Sequence, residues 1–344
     1  MGCSFSGLNA LYDVVSGGAD VWVNERRFKI LKQIGEGGFA FVYLVKEQQG
    51  GHPAKLPKHP KYIADDGLYA LKKVIIQTDE QLDLVQQEIH VSSLFNHPNL
   101  LPLLEHSIIS VKGEGAWIQE AYLLFPVYED GTLVDNLNLM RTKKEYFPTL
   151  TVLQIFKQIC EGLKVMHTFD PPYAHNDVKP GNVLLSKGKE QSPLAVLMDF
   201  GSAAPARKQL RSRSEALALQ EWAAQHCSAP YRAPELWDCP SVADIDGRTD
   251  IWSLGCTLYA IMYGVSPFEY TLGEAGGSLQ LAAMSGQVKW PSGPSPPYPD
   301  SLQKFVIWML EPRVALRPSI EDVLLHIEKL VARLETDSMN RNLL

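Results

Sequence analysis

The sequence predicts an α+β fold, with strands toward the start and mainly helices beyond them. Three observations carry that prediction. Two strand-like apolar runs flank a glycine cluster, Gly35-Glu36-Gly37-Gly38, near the start. Later in the chain apolar residues recur at helical spacing, in Leu153, Ile155, Phe156, Ile159, Leu163 and Met166, and again in Val323, Leu324, Ile327, Leu330, Val331 and Leu334. The composition is that of an ordinary globular protein, 344 residues with 45% hydrophobic and 21% charged, enough for one large unit or two lobes each with a core.

Residues 2–24 mix small, polar and apolar types, with no Lys or Arg before Arg26, and predict no stable element. Phe28, Ile30, Leu31 and Ile34 form a strand that enters the glycine cluster, and Phe41-Val42-Tyr43-Leu44-Val45 form the strand that leaves it. A dinucleotide fold would need a helix after the glycines, so a hairpin is the better reading. Glycine lets backbone N–H groups come close to a phosphate because no Cβ intervenes. Residues 48–67 carry Gly50, Gly51, Pro53, Pro57 and Pro60 with Lys55, Lys58 and Lys61. That density predicts a loop, either a solvated insertion or a docking loop. A third strand contains Ala70-Leu71-Lys72. Leu82, Val85, Ile89 and Leu94 then predict a helix between Thr78 and Phe95, ended by Asn96-His97-Pro98-Asn99. Two apolar runs follow, Leu100–Val111 and Tyr122–Val127, the second closing on the polar turn Glu129-Asp130-Gly131.

The stripe from Leu153 to Met166 is a core-facing helix. It leads to His175-Asn176-Asp177-Val178-Lys179-Pro180-Gly181-Asn182. Two short apolar strands, Val183–Leu185 and Ala195–Met198, separate that run from Asp199-Phe200-Gly201 and present Asn182 and Asp199 to one space. Ser214 to Gln225 has good helix formers behind a serine cap. A further apolar helix runs from Asp250 through Met262, residues 286–300 form a Pro- and Ser-rich loop, and the last amphipathic helix ends in a tail frayed after Thr336.

An acid beside a cation and an amide is what phosphoryl transfer needs. Alone, residues 175–182 would also suit a polar turn broken by Pro-Gly. With Asp199-Phe200-Gly201 behind them they resemble the catalytic and metal-binding loops of eukaryotic protein kinases. The glycine hairpin and Lys72 resemble the kinase nucleotide loop and its lysine, with Ala40 in place of the third family glycine. The resemblance covers residues 27–332, with its motifs in the family's order. It implies a bilobal fold with a small β-rich N-lobe (27–126) and a larger, mainly helical C-lobe (129–332), between an N-terminal segment 1–26 and a tail 333–344. It implies ATP and Mg²⁺ as cofactors and protein hydroxyls as substrate. Asp177 would orient or accept the hydroxyl proton and Lys179 would steady the phosphoryl oxygens. Asn182 and Asp199 would hold Mg²⁺. Ile34, Gly35, Glu36, Gly37, Gly38, Val42 and Ala70 would enclose the nucleotide. Lys72 would hold the α- and β-phosphates, fixed by Glu88, with Glu80 as the other candidate partner. Phe125 would guard the back of the adenine pocket, while the Pro126 carbonyl and the Tyr128 N–H would bond the base. Lys179, two residues after the acid, suits the Ser/Thr class. A pseudokinase scaffold would be expected to lack Lys72, Asp177 or Asp199; all are present. Glu235 is expected to bridge to Arg317, and Asp250 to brace the catalytic loop.

The helix inside the segment from Ser202 to Glu235, with its Leu219-Gln220-Glu221-Trp222-Ala223-Ala224-Gln225 run, resembles the Numb-associated kinase family and, within it, the doubly acylated branch. Gly2-Cys3-Ser4-Phe5-Ser6 fits an N-myristoylation pattern, with Cys3 as palmitate acceptor; the alternative is a flexible soluble tail. The expected location is the cytoplasmic face of Golgi or plasma membrane, partly cytosolic. No apolar run reaches the roughly 18 residues of a membrane span, and Asp13 and Asp20 interrupt any signal-peptide pattern. Five scattered cysteines without a C-x-x-C pair fit a reducing compartment and give no zinc site. A net charge of −7 argues against a nucleic-acid partner.

Overall fold

The computed structural model describes residues 4–5, 20–37, 39–48, 67–112, 117–187, 193–273, 276–292 and 298–342. Its first part is an antiparallel sheet. Strands β1 (Ser4–Phe5) and β2 (Asp20–Val23) both pair with β3 (Arg26–Gly37), which continues through β4 (Ala40–Glu47) and β5 (Leu68–Ile76) to β7 (Trp117–Pro126) and the edge strand β6 (Glu105–Lys112). The N-terminal 26 residues therefore contain strand, against the expectation of none. The β2 signal is one short alternation, Asp20-Val21-Trp22-Val23, with both valines buried. Asn24 turns β2 into β3 at φ 53, a left-handed position that Asn tolerates. Arg26 then anchors the corner, donating to Glu47 at 2.7 Å and Glu105 at 3.0 Å. The Pro- and Gly-rich loop predicted for 48–67 lies outside the described residues save at its ends, where the Glu47 N–H donates to Gly67 O at 2.9 Å. Helix α1 (Asp79–Leu94) has Thr78 as its cap, the hydroxyl accepting from the Gln81 N–H.

The second part is helical. In chain order it holds α2 (Leu133–Lys143), α3 (Thr149–His167), strands β8 (Tyr173–Ala174), β9 (Val183–Lys187), β10 (Pro193–Leu197), β11 (Ala204–Pro205) and β12 (Lys208–Leu210), then α4 (Arg213–His226) and α5 (Pro234–Trp237). Strand β13 (Ala243–Ile245), α6 (Arg248–Tyr263), α7 (Pro267–Leu272), α8 (Leu279–Ser285), α9 (Asp300–Met309) and α10 (Ile320–Asn342) follow. The largest core gathers Phe156 of α3, Trp252 and Tyr259 of α6, Phe305 of α9 and Val323 and Ile327 of α10, all buried. Helix α6 is apolar on every side and buried from Thr249 to Met262, as a central helix must be. The two parts meet where Leu101 N–H donates to Leu197 O and Leu197 N–H to Asn99 O, each at 2.9 Å.

Two predicted helix ends shift. Helix α4 is capped by Ser212, whose hydroxyl accepts from the Glu215 N–H, and Ser214 lies inside the helix. Ser212 is extended (φ −148, ψ 160), as a cap must be. Helix α10 runs to Asn342, past both Thr336 and the 332/333 boundary, because Leu330, Val331 and Leu334 keep its apolar face on the core. Among the described residues no helix is long and apolar enough to cross a membrane.

Candidate active site

Asp177 is buried in the loop between β8 and β9, with Lys179 and Asn182 folded back onto it. Lys179 Nζ donates to Asp177 Oδ2 at 2.7 Å, and Asn182 Nδ2 donates to the same oxygen at 2.9 Å and to the Asp177 carbonyl at 2.8 Å. The Ser228 N–H donates to Asp177 Oδ1 at 3.0 Å. Burial pushes the Asp177 carboxyl pKa up, but the Lys179 charge and the hydrogen bonds from Lys179 and Ser228 outweigh it, and the net shift is downward. Asp177 is therefore an ionised acceptor. The loop is braced from below by Asp250 of α6, which accepts from the His175 N–H at 2.7 Å and the Asn176 N–H at 2.8 Å. His167 Nε2 lies 2.9 Å from the same carboxylate. The expected brace is present.

Strands β9 and β10 pair antiparallel and carry Asn182 and Asp199 to one side, as expected from their flanking apolar runs. Above them Lys72 of β5 meets Glu88 of α1 at 2.6 and 2.8 Å, so Glu88 and not Glu80 is the partner. Lys72, Glu88 and Asp199 line a cavity of about 200 Å³ together with Gly37 and Phe39 at the tip of the glycine hairpin. Strands β3 and β4 join there with Gly37 opposite Ala40; Gly35 and Glu36 precede it on β3, and Gly38 lies outside the described residues. Ile34, Val42, Ala70, Val127 and Tyr128 share one apolar cluster with Leu184 and Phe125. Phe125 lines the space beside Lys72 and Glu88. Pro126 ends β7 opposite Tyr69 at the crossing between the parts. Gly2 and Cys3 lie outside the described residues.

This arrangement offers an apolar cluster, a cation fixed by a carboxylate, two oxygen-bearing side chains brought together by β9 and β10, and an ionised acid bonded to one of them. Residues 28–327 match the protein kinase domain family. The chain belongs to the protein kinase family. It is 36% identical over 310 residues to serine/threonine-protein kinase 16 of Rattus norvegicus and of Homo sapiens, across 90% of this chain and 92% of each relative. It is 31% identical over 376 residues to a probable serine/threonine-protein kinase of Dictyostelium discoideum, across 91% of this chain and 94% of the relative. With the family match, these relatives make it a serine/threonine protein kinase, and the domain implies ATP as phosphoryl donor and Mg²⁺ as its usual companion.

The kinase has a donor set that fits the ion. Both polar bonds of Asn182 Nδ2 go to Asp177, which leaves the amide oxygen as the end available to a hard cation. The Asp199 carboxylate faces the cavity that holds Lys72. Among the described residues no group of three or more His, Cys, Asp or Glu could hold a metal by itself, so a cation here would share its ligands with nucleotide phosphates.

Two kinase residues escape sequence reading. Leu184 packs in the apolar cluster with Val42, Ala70 and Phe125; its signal is only an apolar position two residues after Asn182. Ser228 accepts from Lys179 Nζ at 2.6 Å through its hydroxyl while its N–H holds Asp177. It lies 49 residues from Lys179, and only tertiary folding joins them.

Proposed function

We propose that this kinase transfers the γ-phosphoryl group of ATP to Ser or Thr hydroxyls of proteins, with Asp177 as the proton acceptor. The observation that carries the assignment is the network in which Asp177, Lys179, Asn182 and Ser228 hold one another. In the step, the substrate oxygen bonds to the γ-phosphorus as the bond to the bridging oxygen of ADP breaks, and the hydroxyl proton passes to the Asp177 carboxylate. Lys179 Nζ, bonded to that carboxylate, would steady the moving phosphoryl oxygens. Lys72, oriented by Glu88, binds the α- and β-phosphates. Asn182 and Asp199 would hold Mg²⁺, which supplies charge neutralisation at the phosphates. The apolar cluster takes adenine, with the Pro126 carbonyl and Tyr128 N–H facing its edge. Labelled-phosphate transfer to a protein substrate tests this: Asp177→Asn should lose at least a hundredfold in kcat, as removal of a general base does. A variant with wild-type kcat refutes the role of Asp177.

We also propose membership of the Numb-associated kinase family, supported by a helix, α4, inside the segment from Ser202 to Glu235, which corresponds to the kinase activation segment. The Gly2-Cys3 pair supports a doubly acylated N terminus, which would keep the kinase on the cytoplasmic face of Golgi or plasma membrane, with a cytosolic fraction. The domain limits 27–332, with lobes 27–126 and 129–332, form part of this reading.

A further inference from the structure

Asn176 is, beside His175, a buried polar side chain of the catalytic loop that the phosphoryl-transfer scheme leaves without a task. It stands at φ 64, left-handed, where Asn is among the few residues other than Gly that settle readily. Its neighbours explain the turn. Strands β8 and β11 pair antiparallel, with Tyr173 opposite Pro205 and Ala174 opposite Ala204. That register would bring residue 176 opposite Ser202, but the chain turns away there toward Asp177. The side chain does what the backbone no longer can: Asn176 Nδ2 donates to Ser202 O at 3.0 Å and to Ala174 O at 3.2 Å. Its own N–H is held by Asp250.

Ser202 lies three residues beyond Asp199. Its hydroxyl donates to His226 O at the end of α4, at 2.8 Å. The next residue, Ala203, accepts from Gln87 Nε2 at 2.9 Å, and Gln87 adjoins Glu88 on α1. A line of bonds thus runs from the loop bearing Asp177 to the loop bearing Asp199, and on to the helix that fixes Lys72. Asn176 is its central link, and it binds main-chain carbonyls only, so it needs no charged group on the activation segment.

We propose that Asn176 is a positioning residue that sets the metal-binding loop against the catalytic loop through its amide. This rests on the roles assigned to Asp177 and Asp199. Two variants separate backbone from amide. Asn176→Gly keeps the left-handed turn and removes the donor. Asn176→Asp also accepts that turn but sets a carboxylate against two carbonyl oxygens. With purified full-length protein, kcat, peptide KM, the Mg²⁺ concentration for half-maximal rate and Tm are measured for each. Asn176→Gly should lower kcat about tenfold, the scale of one buried hydrogen bond, and raise the Mg²⁺ requirement severalfold, with peptide KM within twofold of wild type. Asn176→Asp should do both more strongly, and it gives the same reading if the glycine variant is too unstable to purify. Wild-type kcat and Mg²⁺ requirement in an active variant overturn the proposal. So does a fall in kcat with Mg²⁺ requirement unchanged, which would make the amide a support of the fold alone. Wild-type protein that fails to transfer phosphate would count instead against the roles of Asp177 and Asp199.

Discussion

At the scale of single residues the site is a set of charges that hold one another in place. Lys72 and Glu88 are both largely buried, and each compensates the other's loss of water. Lys72→Ala removes the phosphate cation and Asp199→Ala removes a carboxylate from the proposed Mg²⁺ site. Neither substitution touches the large helical core. Each should cut phosphoryl transfer by orders of magnitude, with circular dichroism and gel filtration showing a folded monodisperse protein. Near wild-type rates in either purified variant would end the assignment of these two residues. Asp177 shows the same economy: one cation and two hydrogen-bond donors keep a buried carboxyl ionised, so it is ready to take a proton without first losing one.

At the scale of elements the activation segment decides regulation. In many kinases an Arg precedes the catalytic Asp and pairs with a phosphate on this segment; Asn176 cannot make that bidentate pair. Three of the four basic residues from Arg207 to Arg213 are engaged, and the fourth, Arg207, is exposed. Arg211 binds Asp244 at 2.8 Å and Arg213 donates to Cys239 O at 3.2 Å. Lys208 stands over the Trp222 ring at 3.9 Å, and burial lowers its pKa. These contacts pin β12 to β13 and hold α4. Activity should therefore survive phosphatase treatment: initial rates of the treated enzyme should stay within twofold of untreated, and a collapse to a few per cent would show that a phosphate orders the segment after all. Helix α4 itself was legible, because its helix formers are contiguous. Its true cap was not, since Ser212 and Ser214 are both plausible and only the bonds of Glu215 choose between them. Asp177, Asn182 and Asp199 were legible because short local motifs carry them. Ser228 and Leu184 were not, because their roles exist only after β9 and the activation segment fold over the loop. Strand β2 was missed because four residues, although paired to β3 through a local turn, leave too short an alternation to separate from a coil.

At the scale of the whole molecule two devices matter, one inside the fold and one proposed at its end. Inside, Arg317 and Glu235 join parts of the chain 82 residues apart through bonds of 2.8 and 3.1 Å. Arg317 also donates to Arg248 O and Glu311 O, so removing it strands a buried carboxylate and two carbonyls. Arg317→Ala should cost about 3–5 kcal/mol in chemical denaturation; Lys should not rescue it, since an ammonium cannot reproduce the planar fork. Loss below about 1 kcal/mol would show that the bridge is dispensable. At the end of the chain, a myristoyl group on Gly2 alone would give marginal, reversible binding, with a partition constant of about 10⁴ M⁻¹. Stable anchoring needs a second signal. A polybasic stretch does not supply it, since Arg26 is the first cation and Asp13 and Asp20 precede it. On the proposed reading palmitate would be the second signal, and Cys3 is the only cysteine before Cys160. Its thiol must reach the bilayer to be acylated, so myristate comes first. Gly2→Ala should abolish membrane association altogether, while Cys3→Ser should leave a weak, rapidly exchanging pool. Fractionation with acyl labelling reads both. Wild-type protein found wholly soluble, or Cys3→Ser bound as tightly as wild type, would reject the two-chain anchor.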